Sequence, residues 1–336
     1  MRTDDSEGAR AARLSAVLAS FKGKRILVIG DLMLDEYIWG KVSRISPEAP
    51  VPVVNVTRES YYPGGAANVA RNLREFTNHV AVMGSIGADP AGQRLMDLLA
   101  ASGIDTSAVQ QSPAFATTVK TRIMARNQQV VRVDREHCTG PDLNRAAADL
   151  DRVISASDAV IITDYGKGFL TQELAQEVCR IVAEHGKVLA IDPHPHRMFA
   201  WPGAAAIKPN RAEAFQAAGL PPSEPEPDVL NDQPLLEAGH RLLERWHCGC
   251  LLVTLGEQGM LLMERDNEPY PIPARAREVF DVSGAGDTAI AVFTLGLAAG
   301  ASAPEAAELA NQASGVVVGK VGTATVTASE LQETLG

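Results

Sequence analysis

The stretch richest in chemistry runs Val279-Phe280-Asp281-Val282-Ser283-Gly284-Ala285-Gly286-Asp287, directly before an apolar helical run. Small residues at a helix entrance leave the backbone N–H groups of Gly284 to Asp287 pointing out of its positive end, which makes an anion site. Asp287 falls in that first turn. Its carboxylate either caps the helix or accepts a proton from a hydroxyl attacking a phosphoryl group held by the same N–H groups. The residues also satisfy Gly-x-Gly-x-x-Ala, the relaxed dinucleotide fingerprint of a nicotinamide oxidoreductase. That reading fits poorly, because the downstream acids Glu305 and Glu308 fall within a helical pattern rather than at a strand end. A Walker loop is excluded: Gly315-Val316-Val317-Val318-Gly319-Lys320 has the wrong spacing and no Ser or Thr after the lysine.

Three further stretches have matching chemistry. In Tyr62-Pro63-Gly64-Gly65-Ala66-Ala67-Asn68 the glycines permit close backbone approach, and Asn68 offers a donor and an acceptor to a sugar hydroxyl; the alternative is an ordinary loop and helix cap. In Lys208-Pro209-Asn210-Arg211-Ala212-Glu213, Asn210 and Glu213 either support a hydrated metal or form a capping box. Thr254-Leu255-Gly256-Glu257-Gln258-Gly259 reads as a glycine-bounded turn between two strands, open to a ring or phosphate or simply a tight hairpin. His247-Cys248-Gly249-Cys250 lacks a second cysteine pair and runs into an apolar strand, so it is not read as a metal site. His194 and His196, in Asp192-Pro193-His194-Pro195-His196-Arg197, read as surface loop in preference to cleft lining.

The elements that must position these residues alternate. Arg25–Ile29 is a short β-branched run ending in Gly30-Asp31, as in a buried parallel strand whose carboxyl end opens into a site, with Asp31 and Asp35 close by. Further strands are expected at Val80–Gly84, Ala159–Thr163, Val188–Ile191, Ala205–Lys208 and Leu251–Leu255, with helices between or beside them. This order predicts an α/β fold, a mostly parallel central sheet with helices on both faces. Val51–Val56 reads as an edge strand because of Pro50 and Pro52, and Thr117–Met124 with Gln129–Val133 as a hairpin. Together they predict a small β-sheet lid from segments about 37–62 and 115–134. Residues 1–23 form a tail and amphipathic helix, and 24–336 the main domain.

The 336 residues are 46% hydrophobic and 21% charged, which excludes a disordered chain. With 31 Lys and Arg against 41 Asp and Glu the net charge is −10, so there is no global footprint for nucleic acid or an anionic membrane. Four cysteines are too few for a disulfide scaffold. The acidic start does not read as a secretory signal, and no run approaches a membrane span. A cytoplasmic protein is expected.

The order Gly64-Gly65-x-x-Asn68, Asn210-x-x-Glu213, Thr254-x-Gly256-x-x-Gly259 and Asp281-x-x-Gly284-Ala285-Gly286-Asp287 resembles that of ribokinase-like (PfkB-type) carbohydrate kinases, from about Lys24 to Thr327. Within the family, the segments Gly30–Tyr37, Ser43–Val53, Arg126–Gln129, Asp164–Gly168 and Val318–Thr323 look like the kinases that phosphorylate C1 of D-glycero-β-D-manno-heptose 7-phosphate in ADP-heptose and lipopolysaccharide biosynthesis. The resemblance implies Asp287 as catalytic base and the N–H groups of Gly284, Ala285 and Gly286 as an anion hole. It implies Asp35, Gly64, Gly65 and Asn68 at the sugar, together with Asp164 and Lys167. Asn210 and Glu213 would support Mg²⁺ through water; Thr254, Gly256, Gly259 and Asn311 would line the ATP site; Asp281 and Ser283 would hold K⁺. The second phosphate of such a sugar needs cations away from the ATP end, and Arg44, Lys120, Arg122 and Arg126 are the candidates on the lid. Many such kinases are fused to a nucleotidyltransferase with a His-x-Gly-His signature, which does not occur here, so a separate adenylyltransferase is expected downstream. Pairing of lid strands implies a homodimer. A kinase for another sugar, and a sugar-phosphate or nucleotide binder without catalysis, are the competing readings.

Overall fold

The structure is a computed structural model and describes residues 4–125, 128–136, 143–197, 199–275, 282–320 and 322–335. In chain order its strands begin with β1 (Arg25–Gly30), β2 (Leu32–Ile45), β3 (Pro52–Gly65), β4 (His79–Gly87), β5 (Asp105–Ser112), β6 (Thr118–Ala125) and β7 (Gln128–Arg135). They continue with β8 (Ala159–Thr163), β9 (Val188–Asp192), β10 (Ala206–Ile207), β11 (Cys250–Thr254), β12 (Met260–Glu264) and β13 (Tyr270–Ile272). The helices are α1 (Asp4–Ala19), α2 (Ala66–Arg74), α3 (Pro90–Ala101), α4 (Leu143–Ser155) and α5 (Gln172–Glu184), then α6 (Arg211–Ala218), α7 (Gln233–Trp246), α8 (Ala285–Ala298), α9 (Ala303–Val318) and α10 (Ala328–Glu333).

The large sheet has the order β13-β12-β11-β10-β9-β8-β1-β4-β5. From β11 to β5 every pairing is parallel, and only β12 and β13 run antiparallel at one edge. Strand β1 shows why this is a two-sided core. Ile26 and Val28 pack into the layer containing α2, α8 and α9, whereas Leu27 and Ile29 pack into the layer containing α5 and α7. An uninterrupted apolar run is what a strand covered on both faces requires. The fold class read from the alternation is therefore the fold observed.

A separate sheet, β3-β2-β6-β7, stands beside the first. Strand β3 is at its edge, where Pro52 costs no ladder bond, and β6 and β7 form the antiparallel hairpin. Strand β2 begins directly after β1 and is 14 residues long, with register shifts after Trp39 and after Val42. Its sequence does not announce a strand: Asp35, Glu36, Gly40 and Lys41 break the alternation, and pairing on both sides imposes the extended form. Valines 131 and 133 and Val56 remain exposed on this small sheet.

Candidate active site

The site is assembled where α2 and α8 begin side by side. Gly284, with φ of +84°, is the residue before α8, and no side chain caps that helix. The Ala285 N–H, expected in the anion hole, turns back to the Val282 carbonyl at 3.3 Å, and Gly286 and Asp287 carry the next N–H groups of the first turn, the kind a helix entrance offers to an anion. Gly65, with φ of +58°, plays the equivalent part before α2. The two helices are locked by buried amides: Thr288 Oγ1 donates to Asn72 Oδ1 at 2.7 Å, and Asn72 Nδ2 donates to the Asn68 carbonyl at 2.9 Å.

This lock puts Asn68 against Asp287. Asn68 Nδ2 donates to Asp287 Oδ2 at 2.6 Å, and the Tyr165 hydroxyl donates to Oδ1 at 2.7 Å. Burial pushes the Asp287 carboxyl up to about 6; the two hydrogen bonds oppose the rise, Asp192 adds to it, and Lys208 counters it. A carboxylate with that affinity for protons is a competent base near neutral pH.

Beyond Asp287 a cavity of about 1070 Å³ opens at the carboxyl ends of β8, β9, β10 and β11. Its walls include Asp192, Lys208, Asn210, Glu213, Thr254, Gly256, Gly259 and Asn311. Lys208, only 3% exposed, pairs with Asp192 at 3.1 Å. Burial pushes Asp192 up to about 6 against the pull of Lys208; for Lys208 burial acts downward, and Asp192 and Glu213 outweigh it, so the ammonium stays charged. A methyl placed on Gly286 would lie 3.4 Å from Lys208 Nζ, which puts this cation beside the anion-binding turn.

Asn210 and Glu213 do form a capping box: Asn210 Oδ1 accepts from the Glu213 N–H at 2.9 Å, and Glu213 Oε2 accepts from the Asn210 N–H at 2.8 Å. The cap and the cavity wall coincide, because α6 starts on the rim. Among the described residues no group of three or more His, Cys, Asp or Glu is gathered as a closed metal cage. Two carboxylates on one wall, Asp192 and Glu213, suit a hard divalent ion that keeps most of its water. Thr254 is bridged to Asn210, and the turn after it carries Gly256 at φ +61° and Gly259 at φ +90°. Asn311 donates to the Pro273 carbonyl at 2.7 Å and Ser314 to the Ala285 carbonyl at 3.2 Å, so α9 braces the wall. Asp281 lies outside the described residues, and Ser283 sits in the turn before Gly284.

On the other side of Asp287, Asp35 of β2 faces Gly64, where a methyl would come within 2.7 Å of Asp35 Oδ2. Arg122 of β6 binds Asp35 at 2.5 Å, so its charge is already matched. Lys120 has no such ion pair among the described residues and lies 6.0 Å from the Tyr165 ring; burial, then Lys167 and Arg132, push its ammonium down against the pull of Asp35. Lys167 pairs with Glu136 at 2.7 Å. Asp164 accepts the Gly166 N–H at 2.8 Å and faces Arg197 at 3.4 Å, and burial raises it to about 6. Arg44 is not brought to this group: it sits nine residues along β2 from Asp35, about 30 Å at the usual strand rise. Arg126 lies outside the described residues.

Two points differ from the reading of the sequence. His194 and His196 line the cavity rather than an outer loop, because β9 ends at Asp192 and delivers them to its mouth. The motifs in the sequence assign no chemistry to Tyr165, Asp192 and Lys208. The position of Asp192 and Lys208 just beyond adjacent parallel strands, where open α/β sheets bind ligands, is the signal that marks them.

Fold and site together define a phosphoryl-transfer scaffold, and residues 24–330 match the pfkB family of carbohydrate kinases. The chain belongs to that family. It is 45% identical over 319 residues to the bifunctional protein HldE of Desulfatibacillum aliphaticivorans, covering 94% of this chain and 64% of that protein. The HldE of Geobacter sulfurreducens is 44% identical over 313 residues, covering 92% of this chain and 62% of the relative. This chain thus spans just under two thirds of the length of these relatives. In structure it resembles Arabidopsis thaliana ribokinase complexed with ribose and ATP, with a TM-score of 0.72, 18% identity and coverage of 93% and 98% of the two chains. Phosphofructokinase-2 from Escherichia coli in complex with potassium superimposes with a TM-score of 0.73 at 18% identity, covering 93% and 98%. No helix among the described residues is long and apolar enough to cross a membrane.

Proposed function

We propose that this chain transfers the γ-phosphoryl group of ATP to the anomeric hydroxyl of D-glycero-β-D-manno-heptose 7-phosphate, giving the 1,7-bisphosphate. The observation that carries the reading is Asp287: a carboxylate of raised proton affinity, gripped on both oxygens, in the first turn of a helix that has no side-chain cap. In-line phosphoryl transfer needs a base on one side of the phosphorus and charge stabilisation around it. Asp287 receives the proton as the sugar oxygen attacks, and the N–H groups of Gly286 and its neighbours hold the transferred group. Asn68, whose Oδ1 is buried with no partner among the described residues, accepts a hydrogen bond from a sugar hydroxyl. Glu213 and Asp192 would hold Mg²⁺, which neutralises phosphate charge when bound. Ser283 with Asp281 is the expected K⁺ position.

The 7-phosphate is assigned to Lys120 with Lys167. Of the described lid cations, Arg122 is matched by Asp35, whereas Lys120 forms no ion pair among the described residues and lies 6.0 Å from the Tyr165 ring; Lys167, whose charge acts on Lys120, would exchange its partner Glu136 for the phosphate. Two like charges held together favour a dianion between them. The small sheet closes over the sugar as a lid, and the exposed valines beside its free edges support pairing with a second copy. Sedimentation of the purified chain tests that homodimer.

The reaction is tested by ADP release with Mg-ATP across the heptose phosphate, ribose, fructose 6-phosphate and fructose 1-phosphate, with Asp287→Asn as blank. Turnover on the heptose phosphate alone, lost in the blank, establishes the reading. Preference for another sugar overturns the substrate, and no turnover on any sugar overturns the kinase.

A further inference from the structure

The loop after β8 reads Asp164-Tyr165-Gly166-Lys167-Gly168. Its path is set by one carboxylate, Asp31, which is 3% exposed. Asp31 Oδ2 accepts the N–H of Tyr165 at 2.9 Å and of Lys167 at 3.0 Å, and Oδ1 accepts the N–H of Phe169 at 3.0 Å. Three amides on one buried carboxylate are strong, charge-assisted bonds. Gly166 at φ +70° and Gly168 at φ +101° let the chain fold around it. The consequence is a Tyr165 side chain delivered to Asp287, its hydroxyl 2.7 Å from Oδ1.

We infer that Tyr165 is a positioning residue for phosphoryl transfer: its hydroxyl fixes the plane of the Asp287 carboxylate, and the Asp31-pinned loop fixes the hydroxyl. With Asn68 alone, the carboxylate is held at Oδ2 and free to turn about its last torsion, which is broad and two-fold. A donor on the other oxygen removes that freedom, and each oxygen keeps a lone pair for the sugar hydroxyl. Tyr165 is not itself the base. Burial and the neighbouring Asp287 hold its phenol well above its ordinary value, so it remains a donor at any working pH.

The groups that face this pair are known. Asp287 meets Asn68 from α2, Asp192 from the end of β9 and Lys208 from the segment after β10; Asp35 acts on Tyr165 from β2, and Lys120 lies over its ring. Tyr165→Phe leaves all of them in place and removes one hydrogen bond to the ionised form of Asp287. The change must raise the proton affinity of that carboxyl.

The inference rests on the kinase reading only for its kinetic arm, so the first measurement uses no substrate. The full chain is labelled with ¹³C at aspartate side-chain carboxyls, and the Asp287 signal is identified by its loss in Asp287→Asn. In Tyr165→Phe the titration midpoint of Asp287 rises by about half to one pH unit. Replacement of Tyr165 by 3-fluorotyrosine, a stronger donor of nearly the same size, moves it the other way. In steady-state assays on the sugar that the wild-type chain phosphorylates, Tyr165→Phe lowers kcat about ten- to hundredfold and leaves both KM values within about twofold. An unmoved midpoint in both variants overturns the proposal. So does a raised sugar KM with unchanged kcat, which would make Tyr165 a substrate contact. If the wild-type chain phosphorylates no sugar, the proposed reaction falls while the titration still decides between Tyr165 as anchor and Tyr165 as bystander.

Discussion

Asn68 Nδ2 donates to Asp287 Oδ2 at 2.6 Å, joining the first turns of two helices whose residues stand 219 positions apart in the chain. The same amide has its oxygen buried and without a partner among the described residues. One side chain therefore holds the base with its nitrogen and presents an acceptor to the sugar with its oxygen. Asn68→Ala removes both. Steady-state kinetics should show kcat down about ten- to hundredfold together with a raised sugar KM, while the KM for ATP stays near wild type. A change confined to the ATP constant would place Asn68 outside the sugar site.

The pH dependence follows from Asp287, which burial raises to about 6. The base must be ionised, so kcat/KM should fall about tenfold per pH unit below that value and level off above it. Stability runs the opposite way. A carboxyl whose folded-state value lies above its unfolded value near 4 contributes stability that is complete below pH 4 and is lost as pH rises through 6. Asp287→Asn should therefore abolish turnover yet unfold at a higher temperature than the wild type at pH 8, a gain on the order of 1–3 kcal/mol. The difference should shrink as pH falls from 6 to 4. Thermal scans of both proteins across that range check the sign.

Much of this site was legible because local rules and function coincide there. Gly284-Ala285-Gly286-Asp287 had to open a helix, and Asn210 with Glu213 had to begin one; the second pair forms the capping box and also lines the cavity, while its support of a hydrated metal belongs to the proposed function. What escaped was set by tertiary contact. Nothing near Tyr165 in sequence points to Asp287; the link runs through Asp31, at the end of a different strand. In the sequence Arg44 groups with Lys120 and Arg122 because all lie on lid strands. Strand β2 then carries Arg44 away toward the tip, since an extended chain gains distance with every residue, while β6 keeps Lys120 level with Asp35.

Two glycines in the anion-binding turn should fail differently. Gly284 has a left-handed backbone, and a methyl there would approach Asn68 Nδ2 to 3.2 Å, so Gly284→Ala should lose about 1–2 kcal/mol of stability as well as activity. Gly286 has no positive φ, and its added methyl would lie 3.4 Å from Lys208 Nζ, in the space needed by a phosphoryl oxygen. Gly286→Ala should keep its melting temperature within about 2 °C of wild type and lose about a hundredfold in kcat. Equal melting temperatures for the two variants would remove the distinction.

Lys208, buried, and Asp192, half-buried on the cavity wall, are a pair whose value differs between folding and catalysis. Lys208→Met leaves the half-buried Asp192 without its counter-charge, which should cost about 1–3 kcal/mol in chemical denaturation, less wherever Asp192 is protonated. That penalty belongs to the orphaned carboxylate rather than to the missing bond. Adding Asp192→Asn to Lys208→Met should restore most of the stability. It should not restore kcat, because the cation beside Gly286 and the carboxylate beside Glu213 are both gone from the cavity wall. Recovery of turnover along with stability in the double variant would mean that the pair serves the fold alone.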